Sequence, residues 1–400
     1  MNILFLTSKY PGPDIPSVST AVCHYFVREW VKNGNNVLVI HNNTTFPSII
    51  NIGLRHFYSF FERKVGFSFI CKKMPEIDYE IDGVRVYRRN ILKFIPRAYF
   101  TNYAYKRQYE KIVSIINKEN FIPDIIVGHW WTPQLRLVCE LGKFCDCHTI
   151  LVTHGVNPDL MKEYGELRTK EYLNMLDLIG YRSRIIKERC FERYGLGKKR
   201  FFMCYSGIPA IFKTDNRRVL KDIRTFTFVG SLIDRKYPEI ILDALSDFAI
   251  KGLIINYIGD GPMLELLKQR ADSLNMKESV KFHGRIPRED VGKILSETDC
   301  FIMVSRNETF GLVYLEAMSH GCITIGSKNE GIDGPIEDGR NGFLCEAGNS
   351  VNLKQIIKKL YEMPMEDVNV IAEAGYNTAN KLTDVNVAAE YYKQIEELVK

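Results

Sequence analysis

The chain alternates, twice over, between short β-branched runs and amphipathic helical stretches, and that rhythm points to parallel α/β architecture. In the first series residues 3–6, 37–40, 125–127 and 150–153 are brief and almost wholly apolar. Runs of this kind are strands buried on both faces of a sheet. Between the first two, residues 20–32 place Ala21, Tyr25, Val27, Trp30 and Val31 at helical spacing and close on Asn33-Gly34, a helix stop. Strand, helix, strand is the unit of a doubly wound sheet. The series restarts with strands expected at 226–229, 254–258, 280–282, 300–304 and 323–325, separated by helices at 238–248, 263–274 and 288–296. Each strand runs into a Gly or polar loop, as where ligands meet the carboxyl ends of strands. A length of 400 residues accommodates two such cores. The break is expected at Tyr205-Ser206-Gly207-Ile208-Pro209, giving domains 1–205 and 206–380, and residues 387–400 read as an amphipathic helix.

Composition excludes several classes. With 46% apolar and 26% charged residues the chain is neither disordered nor fibrous. No stretch approaches the ~20 apolar residues of a membrane span. The opening Met1-Asn2-Ile3-Leu4-Phe5-Leu6-Thr7 is too short for a signal-peptide core and reads as a strand, so a cytoplasmic location is expected. The ten cysteines form no CxxC pair and no Cys/His zinc spacing, which predicts reduced thiols. Residues 1–200 carry 30 Lys and Arg against 19 Asp and Glu, a net +11, whereas residues 201–400 are net −5. The first half is the one to face something acidic.

Residues 51–110 interrupt the first series with interleaved bases and aromatics: Arg55, Phe57, Tyr58, Phe60, Phe61, Arg63, Lys64, then Arg85, Arg88, Arg89, Lys93, Phe94, Arg97, Tyr99, Phe100. The pattern suits a solvated face over a core, a membrane surface with anionic lipids, or, least well, a nucleic acid. Peripheral contact at the inner face of a membrane is carried forward, and no nucleic acid.

The most informative stretch is Ser305-Arg306-Asn307-Glu308-Thr309-Phe310-Gly311-Leu312-Val313-Tyr314-Leu315-Glu316. It follows a strand and opens a helix. At ~100° per residue, eight helical steps leave Glu308 and Glu316 about 80° apart in azimuth, so both face one cleft. The amides of Phe310, Gly311 and Leu312 point from a helix start, a ready anion site. Amides for phosphate and carboxylates for hydroxyls suggest a nucleotide-sugar pocket; by spacing alone, two such glutamates also arise by chance.

Glu308-x-Phe310-Gly311-(x4)-Glu316 resembles the Glu-x7-Glu motif of retaining GT-B glycosyltransferases of family four. Other motifs follow in the same order: Phe228-Val229-Gly230-Ser231-Leu232-(x3)-Lys236, a donor-diphosphate loop; Ile258-Gly259-Asp260-Gly261-Pro262; Phe282-His283-Gly284 with Arg285, beside the base; and Gly321, Glu330-Gly331, Asp338-Gly339 and Asn341-Gly342-Phe343. The likeness covers about 205–360 and is looser in the first half: the opening strand and helix, Pro123-Asp124, and Thr153-His154-Gly155.

The resemblance implies two Rossmann-like doubly wound domains facing across a cleft, with 381–400 crossing back to the first. It implies transfer of a sugar from a UDP- or GDP-sugar to a hydroxyl acceptor, with retention and without a metal or other cofactor. Glu316 would hold the ribose hydroxyls, and Glu308 with the amides of Phe310 and Gly311 the transferred sugar. Lys236, helped by Arg235, would neutralise the leaving diphosphate, and His154 would stand near the reacting face. The chain departs from the pattern twice. Ser231 stands where the family usually has Arg, so Arg235 is expected to supply that guanidinium. The usual Gly-Gly loop is replaced by residues 11–19, with Ser17 and Ser19 expected to contact the acceptor side. A glycan or lipid-linked acceptor in bacterial surface-glycan biosynthesis fits the basic first half.

Three other readings compete. A dehydrogenase lacks its GxGxxG, since Gly259-x-Gly261 is not completed at Leu264. An epimerase on the same fold would need an acid/base pair, and no second clustered carboxylate or His pair is evident in the first domain. A sugar-nucleotide-binding protein with a dead site is opposed by Glu308, Glu316 and Lys236 and kept open by the altered first loop.

Overall fold

The computed structural model describes residues 1–15, 21–47, 74–95, 98–209, 212 and 217–400. Strands β1 (Asn2–Thr7), β2 (Asn36–Thr45), β3 (Ile77–Ile81), β4 (Val84–Leu92), β5 (Ile125–His129), β6 (His148–Thr153), β7 (Leu178–Tyr181) and β8 (Phe201–Met203) form one sheet in the order β3-β4-β2-β1-β5-β6-β7-β8. Every pair is parallel except β3 and β4. These two are joined by Asp82-Gly83, both at positive φ, the pair a tight hairpin turn requires. Ile3 lies opposite Val37 and Ile125. Alternate residues enter different cores: Leu4 and Leu6 join Leu38, Ile40 and Ile126 on one face, Ile3 and Phe5 join Val37, Val39 and Val127 on the other. The first core is covered by α2 (Asn102–Lys118), α3 (Gln134–Cys145) and α5 (Glu166–Met175), the second by α1 (Val22–Lys32). Short α4 (Leu160–Tyr164) and α6 (Arg184–Tyr194) complete this lobe.

The second lobe holds β9 (Thr225–Val229), β10 (Ile254–Ile258), β11 (Val280–Gly284), β12 (Cys300–Ile302), β13 (Ile323–Ser327) and β14 (Phe343–Cys345), all parallel, in the order β11-β10-β9-β12-β13-β14. Its helices are α7 (Glu239–Leu245), α8 (Leu264–Ser273), α9 (Arg288–Ser296), α10 (Leu312–Ser319), α11 (Ser350–Glu362) and α12 (Met365–Lys381). Strand order reverses between β9 and β12, which opens a crevice at their carboxyl ends.

Helix α13 (Asp384–Val399) belongs to the second lobe in sequence and to the first in space. The Trp30 indole donates to the Ala388 carbonyl (3.0 Å), Tyr392 donates to Asn35 (2.7 Å), and Arg28 pairs with Asp384 (2.8 Å). Tyr391 packs edge-on against Phe26 and Trp30. The two chain crossings touch: the Ile208 amide donates to the Leu382 carbonyl and the Asp384 amide to the Ile208 carbonyl, each 2.9 Å. Gly207 is required there, since a Cβ would stand 2.2 Å from the Thr383 oxygen.

The interruption at 51–110 resolves differently from a simple basic surface. Among its described residues, β3, β4 and the start of α2 are ordered structure, and the Arg88 guanidinium is fully buried, donating to both oxygens of Asp14 at 2.8 and 2.6 Å. Arg89 pairs with Asp78 and Arg85 with Glu119. The bases and aromatics at 51–73 and Arg97 lie outside the described residues, as do Ser17 and Ser19. The nine described cysteines are unpaired.

Candidate functional site

The carboxyl ends of β9, β10 and β11 are knitted by their backbones. The Gly230 amide donates to the Ile258 carbonyl (2.9 Å) and the Gly259 amide to the Gly284 carbonyl (2.8 Å). A Cβ on Gly259 would lie 1.9 Å from the Gly230 oxygen, and one on Gly261 2.3 Å from the Leu232 oxygen. Only glycine permits this approach, so Gly230, Ser231, Gly259 and Gly261 line one continuous edge. Gly284 follows at φ +66° with open space where a side chain would stand, and Arg285 beside it is exposed. His283 bonds Asn256 at 2.9 Å.

Next to this edge a 3-10 turn over Asp234–Lys236 presents two cations. Lys236 Nζ lies 3.6 Å from a Glu308 carboxylate oxygen, and Arg235 lies 3.8 Å from the same oxygen. The Arg306 amide donates to the Arg235 carbonyl at 2.7 Å, fixing the turn to the loop after β12. Burial lowers the Lys236 pKa; Glu308 opposes that effect and Arg235 adds to it. Two clustered cations with one carboxylate between them leave spare positive charge for an anion.

Glu308 sits in the loop and helix α10 begins only at Leu312, with Gly311 as its N-cap at φ +80°. The eight-step azimuth therefore does not relate Glu308 to Glu316, because only Glu316 is helical. Loop hydrogen bonds do the positioning: the Glu308 amide donates to Glu330 (3.1 Å) and the Gly331 amide to the Glu308 carbonyl (2.9 Å). Glu330 is buried and itself 3.6 Å from Arg189 of the first lobe. Phe310 is buried against Tyr205. Glu316, 4% exposed, pairs with Arg288 at the start of α9. That guanidinium lies over the Phe212 ring and reaches the Tyr25 hydroxyl of the first lobe at 3.5 Å. Arg288 escaped the sequence reading, although it lies four residues past Gly284.

The first lobe meets this loop at His154, just beyond β6: Thr309 donates to the His154 carbonyl at 3.1 Å. Arg184 and Asp333 make a second contact across the cleft at 2.8 Å. The half-buried His154 ring stacks on Trp130 (3.9 Å) and its Nε2 lies 3.0 Å from Nδ1 of His129, at the end of β5. Burial lowers both imidazole pKa values, with the Arg182 guanidinium adding to the effect, so both rings are neutral. His129 and Trp130 were also missed, and with His129 a histidine pair that the sequence did not reveal in the first domain; their place at a strand's carboxyl end was the available signal. Cys23, His129 and His154 bring one metal-binding atom each within 4.8 Å of one another, a cluster the linear spacing conceals. Its chemistry fits a metal poorly, because Arg182 places a fixed positive charge beside it and burial pushes the Cys23 thiol up to about 12.

Two doubly wound lobes whose strand mouths meet over this loop constitute a GT-B glycosyltransferase fold. The chain belongs to the glycosyl transferases group 1 family, whose model matches residues 212–378. It is 33% identical over 312 residues to the mannosylfructose-phosphate synthase of Agrobacterium fabrum, covering 68% of each chain. It is 25% identical over 304 residues to an uncharacterized glycosyltransferase of Methanocaldococcus jannaschii, covering 73% of this chain and 82% of the relative. Three further curated relatives align over 25–38% of their own lengths. Among solved structures, Anabaena HepE in complex with UDP superposes over 99% of this chain and 100% of its own, with a TM-score of 0.70 at 17% identity. The expected fold and family are thus met.

Proposed function

We propose that this glycosyltransferase moves a hexosyl group from a UDP- or GDP-sugar to a hydroxyl of a glycan or lipid-linked acceptor, with retention, in surface-glycan biosynthesis. The carrying observation is the convergence of Lys236, Arg235 and Glu308 at the mouth of β9 and β12. The glycine edge admits a diphosphate, Lys236 and Arg235 offset the charge that grows as it leaves, and no metal is needed for that task. Glu316 holds the ribose hydroxyls once Arg288 yields the carboxylate. Glu308, with the Phe310 and Gly311 amides, grips the sugar, whose reacting face lies toward His154. Gly284 and Arg285 border the base. The acceptor hydroxyl attacks on the side the diphosphate leaves, and a donor phosphate oxygen takes its proton, which suits a site whose two neutral histidines are weak bases. HepE, solved with UDP, supports the choice of donor class.

The acceptor side is read from exposed apolar residues Phe94, Ile95, Tyr99 and Tyr103, beside Lys106 and Arg107. Aromatics among bases suit an anionic membrane surface, and the enzyme is proposed to work at the cytoplasmic face. No helix among the described residues is long and apolar enough to cross a membrane. Incubation with radiolabelled UDP- and GDP-sugars and membrane extract tests the reading. Nucleotide release with label in an acceptor is expected; an isomerised donor with no labelled acceptor would mean an epimerase, and neither product would refute transfer.

A further inference from the structure

Three residues far apart in the chain form a buried hydrogen-bonded line ending at the cleft. The Tyr391 hydroxyl of α13 lies 3.3 Å from Nε2 of His129, and Nδ1 of His129 lies 3.0 Å from Nε2 of His154. Tyr391 and His129 are 2% and 0% exposed. His129 is walled in by Phe5, Phe26, Trp130 and Tyr391.

Proton placement along this line is determined by counting donors and acceptors. Burial pushes the Tyr391 phenol far above its ordinary value, so it keeps its proton. The hydrogen-bond partner of that hydroxyl is His129 Nε2, a far stronger acceptor than the nearby Cys23 and Cys204 sulfurs. A buried hydroxyl without an acceptor costs free energy, so O–H donates and Nε2 carries no proton. His129, being neutral, then has its one N–H on Nδ1 and donates to His154 Nε2. His154, also neutral, must carry its proton on Nδ1.

We infer that Tyr391 and His129 are positioning residues that hold His154 in the Nδ1–H tautomer, so that the imidazole offers a hydrogen-bond donor to an oxygen of the bound sugar and takes no part as a base. The ring plane is fixed by stacking on Trp130, and its backbone by Thr309 of the donor loop. The helix that returns from the second lobe thereby sets a proton in the first. The sugar contact rests on the proposed donor reading; the tautomer does not.

The test is histidine-selective 15N NMR of the full chain without ligand, with the His154 resonances assigned by loss in His154→Gln. Nδ1–H and Nε2–H tautomers give distinct nitrogen shifts and couplings. The wild-type protein is expected to show His154 protonated at Nδ1 only. Tyr391→Phe, which keeps the ring packing, is expected to release His129 and to move His154 toward a mixture of tautomers, with kcat/KM lowered about tenfold. His129→Asn, whose amide can donate from the position of Nδ1, is expected to keep the wild-type His154 signature, whereas His129→Leu loses it. His154 protonated at Nε2 in the wild type, or a Tyr391→Phe spectrum unchanged at His154, overturns the inference. A correct tautomer with no sugar transfer would leave the inference standing and sink the donor reading instead.

Discussion

Lys236 and Glu308 face each other at 3.6 Å in the crevice between β9 and β12, each reaching the other from a loop that belongs to a different strand. Glu308 opposes the lowering of the pKa that burial imposes on this half-buried ammonium, and under the proposed function a diphosphate along the glycine edge would meet it together with Arg235.

Lys236→Met is expected to lower kcat for sugar transfer by about 10²–10³, the scale for removing a fixed donor from developing charge. The wild-type pH profile carries a second signature. Because the Lys236 pKa is lowered, its proton leaves at a pH below the ordinary lysine value. kcat/KM should therefore fall on the alkaline side earlier than an exposed lysine would allow. Stability should move oppositely: between the lowered and ordinary values the unfolded chain binds more protons, so this group makes stability rise with pH. Kinetics and urea unfolding over the same pH range check both signs.

Glu316→Ala should raise the Kd for UDP by at least about tenfold, since a charged hydrogen-bond partner of the ribose is lost. The fold should persist, because the orphaned Arg288 is 35% exposed and water can solvate it. Calorimetric titration with UDP and thermal unfolding separate the two effects, and wild-type affinity in this variant refutes the ribose role.

Gly331→Ala should both destabilise the chain and disturb the site. Its Cβ would stand 2.3 Å from the Thr309 carbonyl and 2.5 Å from the Glu308 oxygen, so the loop before α10 must shift. A cost of about 1–3 kcal/mol is expected in urea unfolding, with weaker UDP binding measured on protein that remains folded.

Changing Phe94, Ile95 and Tyr103 together to Ser should abolish co-sedimentation with vesicles containing phosphatidylglycerol and leave UDP affinity unchanged. Binding of the wild-type protein should weaken as salt rises from 50 to about 500 mM. Equal sedimentation of wild type and variant removes the membrane contact.

In the second lobe most strands are apolar enough to read, and β10 and α9 end at the residues expected, but β14, α11 and α12 were not foreseen. In the first lobe β4 was hidden by Arg85, Arg88 and Arg89, since a buried arginine that owes its place to Asp14 breaks the apolar pattern. Strands β7 and β8 were missed because four and three residues give too little periodicity to read. The loop over residues 305–311 was legible as a motif, but its partners were not. Arg288 reaches Glu316 from another helix, and Tyr391, His129 and His154 touch only after the chain has folded back on itself.

That return has a consequence for biogenesis. Val387, Ala388, Tyr391 and Ile395 complete a core begun by Ile3 and Phe5, so during synthesis the first lobe must wait, with an uncovered greasy flank, until these residues, more than 380 positions later, have been made. A ribosome stalled before residue 384 would display a lobe unfinished on one side, a state suited to chaperone capture rather than autonomous maturation.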